Sequence, residues 1–154
     1  MKIVLQRVKE ASVRVEGEVV GRIGTGLLLL VGLGEQDSEA QLLPMVEKIL
    51  HLRVFSNEEG KFDRSLLDVG GELLVVSQFT LFGDCRKGRR PDFAGALKPE
   101  LARALYEQFI HKFSVVGSPL GLPEVQQGRF GAMMEVSSVN DGPVTLLLDN
   151  TPVA

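Results

Sequence analysis

The sequence predicts one α+β domain over residues 1–154, a mostly antiparallel sheet curled towards a barrel, with two main helices. Three observations predict it. A length of 154 residues suits one domain, and a chain of that size buries about 68–70% of its unfolded surface without needing metal or disulfide. Both ends of the chain alternate apolar and polar residues with period two, while two stretches between them switch to helical spacing. Hydrophobic residues at 44% and charged residues at 24% sit near the soluble globular average, which excludes a disordered, collagen-like or coiled-coil chain.

The elements follow in order. Lys2 to Val8 and Ala11 to Val15 read as strands, and Glu16-Gly17 turns the chain into Val19 to Ile23. After Gly24-Thr25-Gly26 comes Leu27 to Val31, whose unbroken apolar run predicts a central strand buried on both faces. From Ser38 the period changes: Leu42, Val46, Ile49, Leu50 and Arg53 fall at helical spacing, Ser38 and Gln41 resemble a capping box, and Pro44 falls in the first turns. Val54-Phe55 closes that segment and Asn57-Glu58-Glu59-Gly60 is a loop. Glu72 to Leu81 reads as a strand, followed by a polar loop from Gly83 to Gly95. Pro99 then opens a second helix with Leu101, Leu105, Gln108, Phe109 and Phe113 on one face. Strands are predicted at Glu124 to Arg129, Ala132 to Val139 and Val144 to Leu148, with Asn140-Asp141-Gly142 as a hairpin turn between the last two.

Charge and special residues narrow the function. Seventeen basic against 20 acidic residues give a net charge of −3, too acidic for a surface that tracks nucleic acid throughout. Any RNA contact falls to a local patch, and Arg86, Lys87, Arg89 and Arg90 supply one in a stretch that otherwise reads as a solvated loop. Cys85 is the single cysteine, and His51 and His111 are the two histidines, so no disulfide and no Cys/His metal cluster is expected. Both histidines lie in helical stretches and read as structural. The N-terminus lacks the apolar core of a signal peptide and the longest apolar run is far below the ~18 residues of a membrane span, so a cytoplasmic protein is expected. Gly32-Leu33-Gly34-Glu35-Gln36-Asp37 begins like a dinucleotide fingerprint, but Asp37 stands at its third glycine.

Two segments hold chemistry that a fold alone does not require. Ser77-Gln78-Phe79-Thr80 ends a buried strand with two hydroxyls flanking an amide and an aromatic. At such an end backbone N–H groups can point outward unpaired, which is how an oxyanion hole is built. Asn140-Asp141-Gly142-Pro143-Val144-Thr145 places a proline directly after a turn glycine, where the bond can adopt the cis form and present carbonyl oxygens instead of a side chain.

Together, Ser-Gln-Phe-Thr-Leu (77–81) and Asn-Asp-Gly-Pro-Val-Thr (140–145) resemble the two signatures of the D-aminoacyl-tRNA deacylase family. The resemblance extends through residues 8–13, Leu52-Arg53-Val54-Phe55, Gly88-Arg89-Arg90-Pro91, Leu105-Tyr106 and 128–132, with departures at Gln127, Met133 and Ser138. It implies a homodimeric editing enzyme that hydrolyses the ester joining a D-amino acid to the 3′ end of tRNA, without metal or organic cofactor. Carried over, Ser77, Gln78, Phe79 and Thr80 line the pocket, and Gly142 and Pro143 form a cis peptide that enters the partner subunit's pocket. Arg7 holds that turn, and Phe130 and Gly131 form part of the terminal-adenosine wall.

The chemistry of the residues agrees with this. An aminoacyl ester is already activated, so positioning and oxyanion stabilisation suffice, and the patch at Arg86, Lys87, Arg89 and Arg90 has acceptor-stem phosphates as a partner. Two alternatives stand beside this reading: a covalent hydrolase with Thr80 or Ser77 as nucleophile, and a non-catalytic RNA-end-binding module. If Gly142-Pro143 rejects L-side chains by steric exclusion, glycine collides with nothing, and glycyl-tRNA, including tRNA(Ala) mischarged with glycine, is an expected substrate.

Overall fold

A computed structural model describes residues 1–150, so the last four residues of the expected domain lie outside it. The elements are β1 (Lys2–Val15), β2 (Glu18–Ile23), β3 (Gly26–Gly32), α1 (Leu42–His51), β4 (Phe55–Ser56), β5 (Phe62–Arg64), β6 (Glu72–Ser77), α2 (Pro99–Gly117), β7 (Gln126–Gln127) and β8 (Glu135–Asp149). What reads as two strands at the N-terminus is the single strand β1. It changes phase where Arg7 and Val8 are both buried: Ile3 and Leu5 join the core beneath the helices, while Val8, Ala11 and Val13 line a second, smaller core.

That change of phase organises the sheet. One edge of β1 pairs with β8 along nearly its whole length. The other edge takes β3 opposite Lys2 to Val8 and β2 opposite Ala11 to Val15, with Glu16 and Gly17 at positive φ in the turn. Next come β6 and β7, both running parallel to β3, so that among the described residues four antiparallel pairings accompany two parallel ones. A Cβ on Gly21 in β2 would stand 2.8 Å from the Gln127 carbonyl of β7, a close approach by which the curled sheet nearly closes into a barrel. Leu27, Leu29, Leu73 and Val75 face the helices while Leu28, Leu74 and Val76 face the barrel interior. The continuous apolar run of β3 is thus buried on both faces, as a parallel strand in such a setting must be.

The helices depart from the sequence reading in detail. The Ser38 N–H donates to Gln41 Oε1 at 2.6 Å, as a capping box requires, and a short 3-10 turn over Glu39–Gln41 precedes α1. Pro44 is tolerated because it is the third residue of α1, where its missing N–H has no helical partner to lose. Arg53 lies beyond the end of α1 and pairs with Asp63 at 3.1 Å. In α2 the buried stripe is Ala102, Leu105, Tyr106, Phe109, Ile110 and Phe113 rather than one containing Leu101 and Gln108. Leu101 is 59% exposed.

Three strand expectations change. The strand expected over 72–81 ends at Ser77, that over 124–129 shrinks to Gln126–Gln127, and that from Ala132 begins at Glu135. No hairpin forms at Asn140-Asp141-Gly142. Gln6 pairs with Thr145 and Val8 with Asn140, so one residue of β1 faces four of β8, three more than a regular ladder needs. The chain bulges out of the sheet and returns to the same partner strand, with a cis Gly142–Pro143 bond in the bulge.

Candidate active site

Buried between β3 and β7, β6 delivers Ser77 to the end of the sheet, opposite Val31. The Gln78 N–H makes one last bond, to the Val31 carbonyl at 2.7 Å, and the chain then curls into a 3-10 turn over Phe79–Phe82. Gly32 makes this possible: a Cβ there would lie 2.9 Å from the Gln78 carbonyl and 3.0 Å from Leu81 Cβ. Gly34 is pressed in the same way by the Phe82 ring. The spacing that begins like a dinucleotide fingerprint is therefore a seat for this turn. Asp37, at the position where a third glycine would stand, accepts from the Gly34 N–H at 2.6 Å and pairs with the Met1 ammonium.

At the head of the turn the Phe79 and Thr80 N–H groups have no acceptor among the described residues. Two successive main-chain donors at the end of a strand are thus left without a partner among the described residues. The Thr80 hydroxyl accepts a hydrogen bond from the Gln78 side-chain amide. An amide N–H cannot take a proton, so this contact gives Thr80 no base. Phe79 is 59% exposed and its ring meets the edge of Phe93 at 5.2 Å, placing an aromatic wall beside the donors.

Phe130 reaches the same end of the sheet because β7 runs parallel to β6. After β7 the Gly128 N–H donates to the Val75 carbonyl at 3.0 Å, and that carbonyl also accepts from the buried Tyr106 hydroxyl at 2.9 Å. Burial pushes the Tyr106 phenol above its ordinary pKa, so it stays a donor. The Phe130 ring lies 5.6 Å from Tyr106 and 5.2 Å from the Arg103 guanidinium, with Gly131 exposed beside it.

Arg7 holds the bulge from within. Although only 8% exposed, it donates to the Asp141 carbonyl at 3.1 Å and to the Val54 carbonyl at 2.7 Å, and its guanidinium lies 3.5 Å from the Asp141 carboxylate. Gly142 sits at φ 127, and a Cβ there would meet Arg7 at 2.9 Å, so glycine is needed on both counts. Gly142 and Pro143 are themselves exposed. The bulge is not beside the Ser77 turn of its own chain. Arg7 is paired to Leu27 and Leu27 to Leu73, four residues before Ser77. That offset is about 13 Å along the strands, with three strand spacings of about 4.8 Å between β8 and β6.

The basic loop is closed by paired Asp84 and Asp92 main chains. Arg86 forks onto the Asp84 carboxylate at 2.6 and 2.9 Å, which holds that carboxyl well below the usual range. Arg86 is thus already neutralised, whereas Lys87, Arg89 and Arg90 are exposed and make no ion pair among the described residues. His51 pairs with Glu47 at 3.5 Å on the surface of α1 and His111 is exposed on α2. No helix among the described residues is long and apolar enough to cross a membrane.

The family model for D-Tyr-tRNA(Tyr) deacylase matches residues 4–149. The chain belongs to that deacylase family. It is 57% identical over 150 residues to a D-aminoacyl-tRNA deacylase of Desulfitobacterium hafniense, covering 97% of each chain. Against the D-aminoacyl-tRNA deacylase of Thermosipho africanus it is 52% identical, covering 99% of each. A solved structure described as c-Myc DNA Unwinding Element Binding Protein superposes with a TM-score of 0.90 at 42% identity, over 99% of this chain and 100% of that one. Membership makes the chain an ester-bond hydrolase of the D-aminoacyl-tRNA deacylase type. Within this deacylase, Gln127, Met133 and Ser138, the departures from the family pattern, are all exposed and leave the buried framework unaltered. Sequence reading missed Gly32 and Gly34 as the seat of the turn, Phe93 as the partner of Phe79, and Arg103 against Phe130. For Phe93 and Arg103 no local pattern marks the contact.

Proposed function

We propose that the chain releases D-amino acids from tRNA with main-chain donors of the Phe79–Thr80 turn. In this reading it works as a homodimer in which the Gly142–Pro143 tip of each copy enters the other's pocket and excludes L-side chains. The observation that carries this reading is the offset between the two motifs, which needs a second copy to bring them together. The far edge of β8 supports it: among the described residues it pairs with no strand, and Val136, Val139 and Leu147 lie exposed along β8, Leu147 at 81%. In the mechanism the Phe79 and Thr80 N–H groups hold the developing oxyanion of an already activated ester. Thr80 acts by position, and the neighbouring ribose hydroxyl of the substrate assists water or proton movement. Phe130 and Gly131 form the wall for the terminal adenosine. Lys87, Arg89 and Arg90 meet acceptor-stem phosphates, with Arg86 restrained by Asp84, and the work is done in the cytoplasm where tRNA is charged.

Exclusion by carbonyl oxygens predicts a specific order of substrates. Glycine lacks the Cβ that collides, so glycyl-tRNA, including tRNA(Ala) mischarged with glycine, is hydrolysed alongside D-alanyl-tRNA while L-alanyl-tRNA persists. Deacylation rates on tRNA charged with glycine, D-alanine and L-alanine test this. Glycyl-tRNA as resistant as the L-alanyl form would show that the pocket attracts D-side chains instead.

A further inference from the structure

We propose that Asn140, together with Thr145 and Gln6, is a clamp that sets the chirality filter by holding the base of the Gly142–Pro143 bulge shut. The proposal rests on the reading of that tip as the filter. The bulge carries three residues more than the ladder needs, so it cannot be held by strand pairing. Arg7 secures one side through the Asp141 carbonyl. The other side is closed by Asn140, which reaches across from the entry of the bulge to its exit. Its Oδ1 accepts from the Val144 N–H at 3.0 Å, and its Nδ2 donates to Thr145 Oγ1 at 2.8 Å. The same hydroxyl oxygen accepts from Gln6 Nε2 at 3.2 Å, and Gln6 is the β1 residue directly opposite Thr145. The bulge is therefore a ring tied to β1 at the point where regular pairing resumes.

A filter that separates glycine from L-alanine must place carbonyl oxygens to within a fraction of a methyl group. Gly142 and Pro143 are exposed within the chain, so their position in the partner's pocket is set by what holds the base. The bonds from Asn140 and Gln6 to Thr145 are also exposed, and they add little to the global fold. What they control is the freedom of the tip to rock.

The test compares full-length variants by their rates on D-alanyl-tRNA and L-alanyl-tRNA, with kcat and KM resolved and Tm measured alongside. Asn140→Ala and Thr145→Val are expected to lower the D-to-L rate ratio at least tenfold, chiefly through faster L-alanyl release, with the D-alanyl KM within about twofold. Asn140→Asp and Thr145→Ser are expected to stay within about threefold of the parent ratio. An aspartate still accepts from the Val144 N–H, and the Thr145 hydroxyl can reverse its bond and donate to the carboxylate while accepting from Gln6. Gly142→Ala, which at φ 127 puts a Cβ 2.9 Å from Arg7 and so displaces the tip while Asn140, Thr145 and Gln6 are unchanged, is the control. If it leaves the ratio unmoved, the tip is not the filter. If it shifts the ratio while Asn140→Ala and Thr145→Val change only Tm, the clamp proposal alone is overturned. Should Asn140→Ala fail to fold, Thr145→Val at its exposed strand position carries the same decision.

Discussion

At the end of β6 the chain turns over the end of β3, whereas at Gly142 it leaves the sheet altogether. The Gln78–Thr80 turn is seated on Gly32 and Gly34 and its donors are main-chain N–H groups. The Gly142–Pro143 tip stands in the open, held from behind by the side chains of Arg7 and Asn140. Main chain packed on a core keeps its geometry whatever side chains surround it, which suits an oxyanion donor. A bulge held by side chains can be tuned without disturbing the core, which suits a filter. The two regions should therefore respond to different kinds of change: the turn to pressure from beneath, the tip to loss of its holders.

The largest expected effect comes from beneath the turn. Gly32→Ala puts a methyl 2.9 Å from the Gln78 carbonyl, where a backbone atom must give way. Overpacking of this kind costs about 1–3 kcal/mol in stability. A displaced donor costs about 10²-fold in rate. Thermal unfolding and single-turnover deacylation would register both, and a variant that keeps its full rate would show that the catalytic donors lie elsewhere.

Next is a mixed dimer of one Gly32→Ala subunit and one Gly142→Ala subunit. If tip and pocket meet across subunits, one composite site is intact and the other doubly damaged, so about half the parent rate returns with D-selectivity preserved. If each tip served its own chain, the surviving pocket would sit beside a damaged tip, and the activity would return unselective. The D-to-L ratio of the heterodimer separates these outcomes.

Thr80→Ala should cost less, under about tenfold, because the main-chain donors survive the truncation and Thr80 has no base to make it a nucleophile. Replacing the terminal 2′-hydroxyl of the tRNA by hydrogen should cost far more. A covalent aminoacyl adduct trapped on Thr80 would reverse this assignment.

The same contrast explains what was legible in the sequence. Leu27 to Val31 announced a strand buried on both faces because its environment on either side is apolar. Ser77 to Thr80 was legible as a motif but not as a turn, since Phe79, Thr80 and Leu81 favour extended structure and only the hollow above Gly32 makes the chain curl. Asn140-Asp141-Gly142 carries the same local signal whether the chain reverses or bulges. What decides is that residues 145–149 find the first residues of β1, a pairing across nearly the whole chain that no local window contains. The stripe of α2 missed by about one residue because Tyr106 must bring its hydroxyl to the Val75 carbonyl, which turns Leu101 outward.

The smallest expected effect concerns the basic loop, where residues adjacent in sequence should behave differently. Arg86, Lys87, Arg89 and Arg90 form one cluster by sequence, yet Arg86 is forked onto Asp84 and the other three project unpaired. The Asp84 carboxyl is held below its unfolded value by Arg86, so this contact is present above the unfolded pKa and is lost only as pH falls through the lower folded one. Near neutral pH the Asp84 carboxylate is therefore charged and available to Arg86. For RNA, each phosphate contact contributes about 0.7–0.9 to the slope of log affinity against log salt. Lys87→Ala, Arg89→Ala and Arg90→Ala should each lower that slope by about one contact, while Arg86→Ala leaves it nearly unchanged. Asp84→Asn should raise it by about one contact, because the freed guanidinium gains a phosphate in place of its carboxylate. Salt titrations of tRNA binding by the five variants measure this directly, and equal slopes for Arg86→Ala and Lys87→Ala would mean that the Asp84 fork opens when RNA arrives.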